Sequence, residues 1–128
     1  MIVNLLRFRF RDDVTEAGRD AVLAAMRRTA GVESAAFGTV GRDLGDPAEG
    51  YTHAYCVGVP DLAALERYLH DPVHLAGDDV ILPSLARLSA VRFTDDADPE
   101  TGAKMGELVR AKLEKYPDWE RQLKAIPA

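Results

Sequence analysis

The residues that follow Met1 constrain the fold most, because they form a strand whose two faces differ chemically. The run I-V-N-L-L-R-F-R-F-R extends from Ile2 to Arg11 without a glycine or a proline. Successive side chains of an extended chain point to opposite faces. One face therefore carries Asn4, Leu6, Phe8 and Phe10, and the other carries Val3, Leu5, Arg7 and Arg9.

Capping and turn residues separate the next three elements. Thr15 is a predicted N-cap, and Gly31 ends the helical run that follows it. Residues 32–44 and 51–59 are rich in residue types that favour strands, and the turn sequence Gly45-Asp46-Pro47 lies between them. We interpret these segments as a first helix and two strands that pair across a long hairpin.

A second helical region is interrupted by proline. Asp61 caps its first part, which ends near His70, and Pro72 begins a second part because proline fits the first turn of a helix but not its interior. The second part is predicted to reach about Arg87 and to lead into a last strand over residues 88–94. The order of elements is therefore β-α-β-β-α-β.

This order predicts an α+β fold, the ferredoxin-like arrangement with a four-stranded antiparallel sheet and helices on one side only. The other side of the sheet needs a cover, and we expect a second copy of the chain to provide it in a homodimer. Residues 96–128 follow residues 1–95 as a helical extension, with an amphipathic helix from Glu100 to about Lys115. Its apolar stripe and Trp119 must be covered, so we expect the extension to pack across the partner or over a pocket mouth.

The composition excludes several classes of partner. A net charge of -5 and a pI near 5.1 provide no basic field for a nucleic-acid backbone. No apolar run reaches membrane-spanning length, and Arg7 and Arg9 interrupt the first apolar residues too early for a signal peptide. Cys56 is the only cysteine, so no intramolecular disulfide can form. We expect a cytoplasmic protein that binds neither nucleic acid nor membrane.

Two histidines, His70 and His74, lie in the run H-D-P-V-H. Its spacing is that of the H-E-x-x-H zinc signature, which requires both histidines on adjacent turns of one unbroken helix. Pro72 breaks such a helix, so we predict no metal site. Asp71 instead caps a new helix and places His74 near its N-terminus, where the helix dipole favours the neutral imidazole that a base requires.

Tyr68 precedes His74 by six residues across this break, so both side chains can face the space between helices and sheet. A neutral imidazole can accept a proton while a phenol supports a developing oxyanion, which suits enolate chemistry without metal or cofactor. On the alternative interpretation, both are packing residues with one satisfied hydrogen bond each. No nucleotide-binding motif is present, so no cofactor is expected. Predicted pocket-wall residues that would bind a substrate are Leu6, Phe8, Met26 and Tyr55.

Three short motifs carry a resemblance to a known family. They are F-R-F-R-D-D-V-T at residues 8–15, E-G-Y-T-H-A at residues 49–54 and Y-L-H-D-P-V-H at residues 68–74. Together, over residues 1–95, they resemble the stress-responsive A/B barrel (Dabb) family of the dimeric α+β barrel superfamily. This resemblance implies a ferredoxin-like protomer that dimerises sheet to sheet into a barrel, with a pocket between sheet and helices in each chain.

The resemblance also bears on individual residues. The family includes the plant polyketide cyclase that makes olivetolic acid by an intramolecular aldol condensation, and Tyr68 and His74 correspond to its catalytic tyrosine and histidine. A further pocket histidine of that cyclase falls on Asn4, which the resemblance thus implies as a substrate-binding position. The histidine usually found before the proline is replaced by Asp71, and His70 lies one place earlier. These departures leave the substrate open.

Three functions are compatible with these observations. The first is a cyclase or aldol-type enzyme that acts on a polyketide-like or other apolar carbonyl substrate, with His74 as base and Tyr68 as hydroxyl partner. The second is a stress-associated or ligand-binding barrel without turnover. The third is a cofactor-independent monooxygenase, a chemistry of other dimeric α+β barrel families that no motif here selects. An open pocket favours the first function, and a pocket filled by Phe8 and Tyr55 favours the second.

Overall fold

A computed structural model describes residues 1–127 and shows the predicted order of elements followed by two C-terminal helices. Two short 3-10 turns, Pro47–Glu49 and Leu82–Ser84, connect the longer elements. The strands and helices are β1 (Ile2–Phe10), α1 (Glu16–Ala30), β2 (Phe37–Arg42), β3 (His53–Val59), α2 (Leu62–His70), α3 (Pro72–Ile81), β4 (Leu85–Thr94), α4 (Thr101–Lys115) and α5 (Pro117–Lys124).

The four strands form one antiparallel sheet in the order β2-β3-β1-β4. The first strand is central, and Leu6 pairs with Tyr55 on one side and with Ala90 on the other. We call the side that α1, α2 and α3 cover the inner face and the opposite side the outer face. The inner face carries Asn4, Leu6 and Phe8, as the alternation of β1 predicts.

Local capping explains where the helices begin. The Thr15 hydroxyl accepts a hydrogen bond from the Gly18 backbone amide at 3.0 Å, and α1 starts at the next residue. The carboxylates of Asp61 and Asp71 each accept a backbone amide at 2.8 Å in the first turns of α2 and α3. The predicted break at Pro72 is thus confirmed, with Asp71 as both the end of α2 and the N-cap of α3.

The boundaries of several other elements differ from the predicted ones. The helix after Pro72 ends at Ile81 rather than near Arg87, because Pro83 cannot continue it and forms part of a 3-10 turn. As a result β4 begins at Leu85, three residues before the predicted start. The second strand is limited to Phe37–Arg42, within the predicted range 32–44.

The core lies between the inner face and the helices. Fully buried side chains from the sheet and from α1 meet there, and α1 packs closely against α3. The largest of these apolar side chains are Phe8, Met26, Leu85, Val22, Val57 and Val59. Because every strand supplies alternate residues to this layer, the residues between them point to the outer face.

One part of the outer face is apolar, and no helix among residues 1–127 covers it. Phe37, Val91 and Phe93 leave 46%, 51% and 55% of their surface exposed. The Phe37 ring lies over Gly58, where no side chain interferes with it. An exposed patch of this kind is typical of a surface that another protein covers.

The C-terminal helices pack on the same side of the sheet as α2 and α3. Helix α4 contacts α2, and α5 contacts the 3-10 turn at Leu82–Ser84. Thr101 is buried at the start of α4, and Lys112 is completely buried near its end. Within residues 1–127, no helix is both long enough and apolar enough to cross a membrane.

Two glycines of β2 provide a matched test of the packing between this strand and α1. A Cβ at Gly38 would lie 2.5 Å from the carbonyl oxygen of Ala30, whereas a Cβ at Gly41 would meet no atom within 4 Å. Gly38→Ala should therefore lower the free energy of unfolding by about 1–3 kcal/mol through overpacking. Gly41→Ala should change it by less than about 1 kcal/mol. Urea denaturation measures both values, and equal effects would show that α1 does not constrain β2.

Candidate functional site

A cavity of about 290 Å³ lies between the inner face and the helices. Its volume is near the lower end of the range for small-molecule sites. The exposed residues Ala90 and Arg92 mark its opening beside β4, at the edge of the sheet. The wall is mostly apolar and is contributed by the sheet (Ile2, Asn4, Leu6, Val57, Val59, Leu88, Ala90, Arg92), by α2, α3 and the turn after it (Leu65, Tyr68, Leu69, His74, Asp78, Leu82) and by the C-terminal helices (Val109, Leu113, Trp119, Leu123).

The break between α2 and α3 fixes the orientation of His74. In an unbroken helix the carbonyl of Tyr68 would accept a bond from the amide four residues later, but that residue is Pro72, which has no N–H. The Nδ1 atom of His74 lies 2.9 Å from this carbonyl oxygen. Because a carbonyl only accepts, Nδ1 carries the hydrogen, and the lone pair of the neutral ring is on Nε2.

Asp78 lies one turn after His74 on α3 and faces its second nitrogen. Its Oδ2 atom is 3.3 Å from His74 Nε2 and accepts the indole N–H of Trp119 at 2.7 Å. Because Nδ1 carries the hydrogen, neutral Nε2 has none to donate to this carboxylate, and its lone pair remains able to take a proton from a ligand. The carboxylate can then stabilise the imidazolium that forms.

Lys112 lies behind this pair and is completely buried. Its ammonium nitrogen is 3.9 Å from Asp78 Oδ2 and 4.1 Å from the centre of the Trp119 ring, and it has no hydrogen-bond partner among residues 1–127. Burial lowers the pKa of Lys112 to about 8, while the charge of Asp78 acts in the opposite direction. At neutral pH the lysine is therefore mainly a cation that opposes the charge of Asp78.

Tyr68 and Tyr55 form a buried pair of phenols. Their hydroxyl oxygens are 2.5 Å apart, and the Tyr68 ring lies 4.5 Å from the His74 ring. Burial raises the pKa of both hydroxyls, that of Tyr68 well above its usual value. Both phenols therefore keep their protons at neutral pH. One hydroxyl donates to the other, which leaves one O–H of the pair for a ligand.

The structure divides the predicted pocket residues among three places. Asn4, Leu6, Tyr68 and His74 line the cavity. Met26 and Tyr55 instead line a smaller cavity of about 50 Å³, which shares several walls with the first.

Phe8 lies outside both cavities, so its predicted place in the pocket wall is wrong. It is fully buried in a group of rings, 5.5 Å from Phe10 and 5.7 Å from His53. The remaining histidine, His70, points away from the cavity toward the Tyr116 hydroxyl at 3.2 Å. His74 is thus the one histidine of the three that lines the cavity.

Four polar residues of the site were not identified from the sequence: Asp78, Arg92, Lys112 and Trp119. Asp78 had a readable signal, because its spacing of four residues from His74 places both on one face of α3. Trp119 was expected to lie, with the C-terminal extension, across the partner or over a pocket mouth, and it lines the cavity of its own chain. Lys112 gave no signal, because a lysine in an amphipathic helix is usually exposed.

The model of the stress responsive A/B barrel domain family matches residues 2–95. No curated protein matches the chain. A dimeric ferredoxin-like protein of unknown function from Thermobifida fusca is 29% identical, with a TM-score of 0.64 over 73% of this chain and 89% of that one.

Two other solved structures show the same fold at lower identity. A Dabb family protein from Mesorhizobium loti is 16% identical, with a TM-score of 0.65 over 75% of this chain and 94% of that one. The hydroxynitrile lyase from Passiflora edulis is 18% identical, with a TM-score of 0.67 over 75% and 94%. The match of the family model over residues 2–95 shows that the chain belongs to the stress responsive A/B barrel domain family.

Proposed function

We propose that this protein is an enzyme that uses His74 as a general base on an apolar, polyketide-like carbonyl substrate, in a cyclase or aldol-type reaction. The observation that carries the proposal is that His74 and Tyr68 both line one open apolar cavity, with His74 Nδ1 bonded to the Tyr68 carbonyl oxygen. The imidazole is held in the tautomer that a base needs, and the phenol keeps the proton that an oxyanion needs.

The reaction begins with proton transfer to His74. Nε2 takes a proton from the carbon beside a substrate carbonyl, and the electron pair of that C–H bond forms an enolate. Asp78 stabilises the imidazolium, and Tyr68 donates a hydrogen bond to the enolate oxygen. The enolate carbon then attacks a second carbonyl of the same substrate, a C–C bond forms, and the new alkoxide takes the proton back from Nε2.

The open cavity favours this proposal over a barrel that only packs these residues. In a barrel whose core these residues merely close, Phe8 and Tyr55 would fill the space, but Phe8 lies in the core and about 290 Å³ is open beside His74. The hydroxynitrile lyase of the same fold gives weaker support by analogy, since a hydroxynitrile is the adduct of a carbonyl compound and hydrogen cyanide.

We also propose that two copies of the chain associate through their outer faces. Phe37, Val91 and Phe93 form an exposed apolar surface on the sheet, and no other element covers it within residues 1–127. The similar protein from Thermobifida fusca is described as dimeric. Association of two such sheets would close a barrel with one cavity in each chain.

Proton exchange tests the role of His74. In D2O the protein should incorporate deuterium next to the carbonyl of benzylacetone, a neutral apolar ketone, as followed by NMR. His74→Gln should lower this rate by about a hundred-fold or more, because a general base contributes that much. Tyr68→Phe should lower it by about ten-fold or more through loss of the hydrogen bond to the oxyanion.

The matched control for this experiment is His70→Gln, which changes the histidine outside the cavity and should leave the exchange rate within two-fold. Thermal unfolding of each variant reports whether it is folded. An exchange rate in wild type that equals the rate without protein, or that His74→Gln leaves unchanged, would contradict the proposed function.

Substitutions at two exposed valines test whether the outer face is the dimer interface. Val91 lies on the outer face, and Val80 is similarly exposed on α3. Val91→Asp should convert the dimer to monomer because it places a charge in an apolar interface, whereas Val80→Asp should leave the dimer intact. Light scattering after gel filtration measures both masses. A wild-type monomer, or a dimer in both variants, would show that the outer face is not the interface.

A further inference from the structure

Arg92 lies at the opening of the cavity and makes no ion pair with any residue in the described range 1–127. Its side chain starts from β4 on the inner face, in register with Asn4 of β1, and lines the cavity. Partial burial lowers the pKa of its guanidinium, and no carboxylate among residues 1–127 compensates for this desolvation. An arginine in such a place usually binds a carboxylate or a phosphate, because its planar group donates two parallel hydrogen bonds.

The carboxylate nearest to the reacting groups does not neutralise Arg92. Asp78 already accepts the indole N–H of Trp119, faces His74 and pairs with the buried ammonium of Lys112. The charges of Lys112 and Asp78 cancel, so the positive charge of Arg92 remains uncompensated. The positive charges of Arg92 and Lys112 also repel each other, which contributes to the lowered pKa of Lys112. An anion in the cavity would relieve this excess of positive charge.

Asn4 adds a second polar group without a partner at the same end. Its side-chain oxygen is buried and has no hydrogen bond within residues 1–127. The Cβ atoms of cross-strand neighbours in an antiparallel pair lie about 5 Å apart, so Asn4 and Arg92 can contact neighbouring groups of one ligand. The remaining sheet residues of the wall, among them Ile2, Val57 and Val59, are apolar. The sheet wall of the cavity therefore has two polar residues, Asn4 and Arg92, in an otherwise apolar surface.

We propose that the substrate carries a carboxylate, which Arg92 binds at the opening of the cavity while the carbonyl group lies toward His74 and Tyr68. This inference rests on the proposed function and specifies its substrate class as an apolar keto acid. The unpartnered atom of Asn4 is its amide oxygen, an acceptor, so Asn4 accepts a hydrogen bond from a hydroxyl group beside the carboxylate and does not bind the carboxylate itself. Lys112 acts through Asp78, because it lies behind that side chain and does not line the cavity.

The position of Arg92 also connects the anion site to the reacting groups. Its charge acts on the Tyr68 hydroxyl, whose pKa it lowers against the larger effect of burial. A carboxylate bound to Arg92 thus lies close to the Tyr68 phenol, which donates a hydrogen bond to the carbonyl oxygen of the substrate. One end of the substrate is fixed by charge and the other by the apolar wall, so the carbon to be deprotonated is held beside Nε2.

Calorimetry with matched acids and amides tests the site in the full-length protein. The probes are hydrocinnamate, phenylbutyrate and phenylhexanoate, each compared with its neutral primary amide. At least one acid should bind wild type about ten-fold or more tightly than its amide, because a charge-assisted hydrogen bond is the stronger kind. Arg92→Ala should remove this advantage and leave the affinity for the amide within two-fold. Arg92→Lys should retain part of it.

Arg110→Ala is the control, because Arg110 is an exposed arginine of α4 outside the cavity and its loss changes the net charge equally. This variant should keep the full advantage of the acid. Equal affinity of wild type for acid and amide, equal effects of Arg92→Ala and Arg110→Ala, or no binding of any probe would overturn the carboxylate site. The exchange of benzylacetone, which has no carboxylate, judges the proposed function separately.

Discussion

The site depends on one carbonyl that proline leaves without its helical partner. Pro72 has no N–H to donate to the oxygen of Tyr68, and the imidazole of His74 takes that place at 2.9 Å. A weaker contact from the amide of Asp71, at 3.3 Å, completes the end of α2. The hydrogen bond satisfies a buried backbone group, sets the tautomer of the histidine and joins the two helices that carry Tyr68 and His74. The local fold and the proposed chemistry thus depend on the same bond.

The second constraint comes from the C-terminal helices, which lie beyond the part of the chain that the family model matches. They contribute Trp119, which donates a hydrogen bond to Asp78, and Lys112, whose ammonium lies beside the same carboxylate. They also contribute apolar residues that complete the wall of the cavity. Burying a charged lysine costs free energy unless an opposite charge lies near it, so Lys112 and Asp78 each lower the cost of burying the other. In this chain, residues beyond the matched region therefore supply part of the cavity wall and the lysine of a charged pair.

The sequence predicts strand faces and helix ends in this site better than contacts between residues that are distant in the chain. Alternation in β1 assigns Asn4 and Phe8 to one face, and both are on that face. Alternation does not tell how far along the strand each helix reaches, so it could not separate Asn4, which lines the cavity, from Phe8, which lies in a ring cluster beside His53. Capping rules located the break at Asp71, because these rules act within a few residues. The burial of Lys112 depends on contacts with Asp78 and Trp119, which come from other elements of the fold, so no local sequence pattern predicts it.

The two faces of the sheet have different roles, and β1 contributes residues to both. Its inner residues form the floor of the cavity, while its outer residues belong to the apolar surface that includes Phe93 and Phe37. A change in the packing of one face moves the backbone that carries the other, because a sheet with dense cores transmits displacement. Association through the outer face would hold β1 and β4 in a fixed geometry, and these strands carry Asn4 and Arg92. The dimer is therefore expected to stabilise the binding end of the cavity as well as to cover apolar surface.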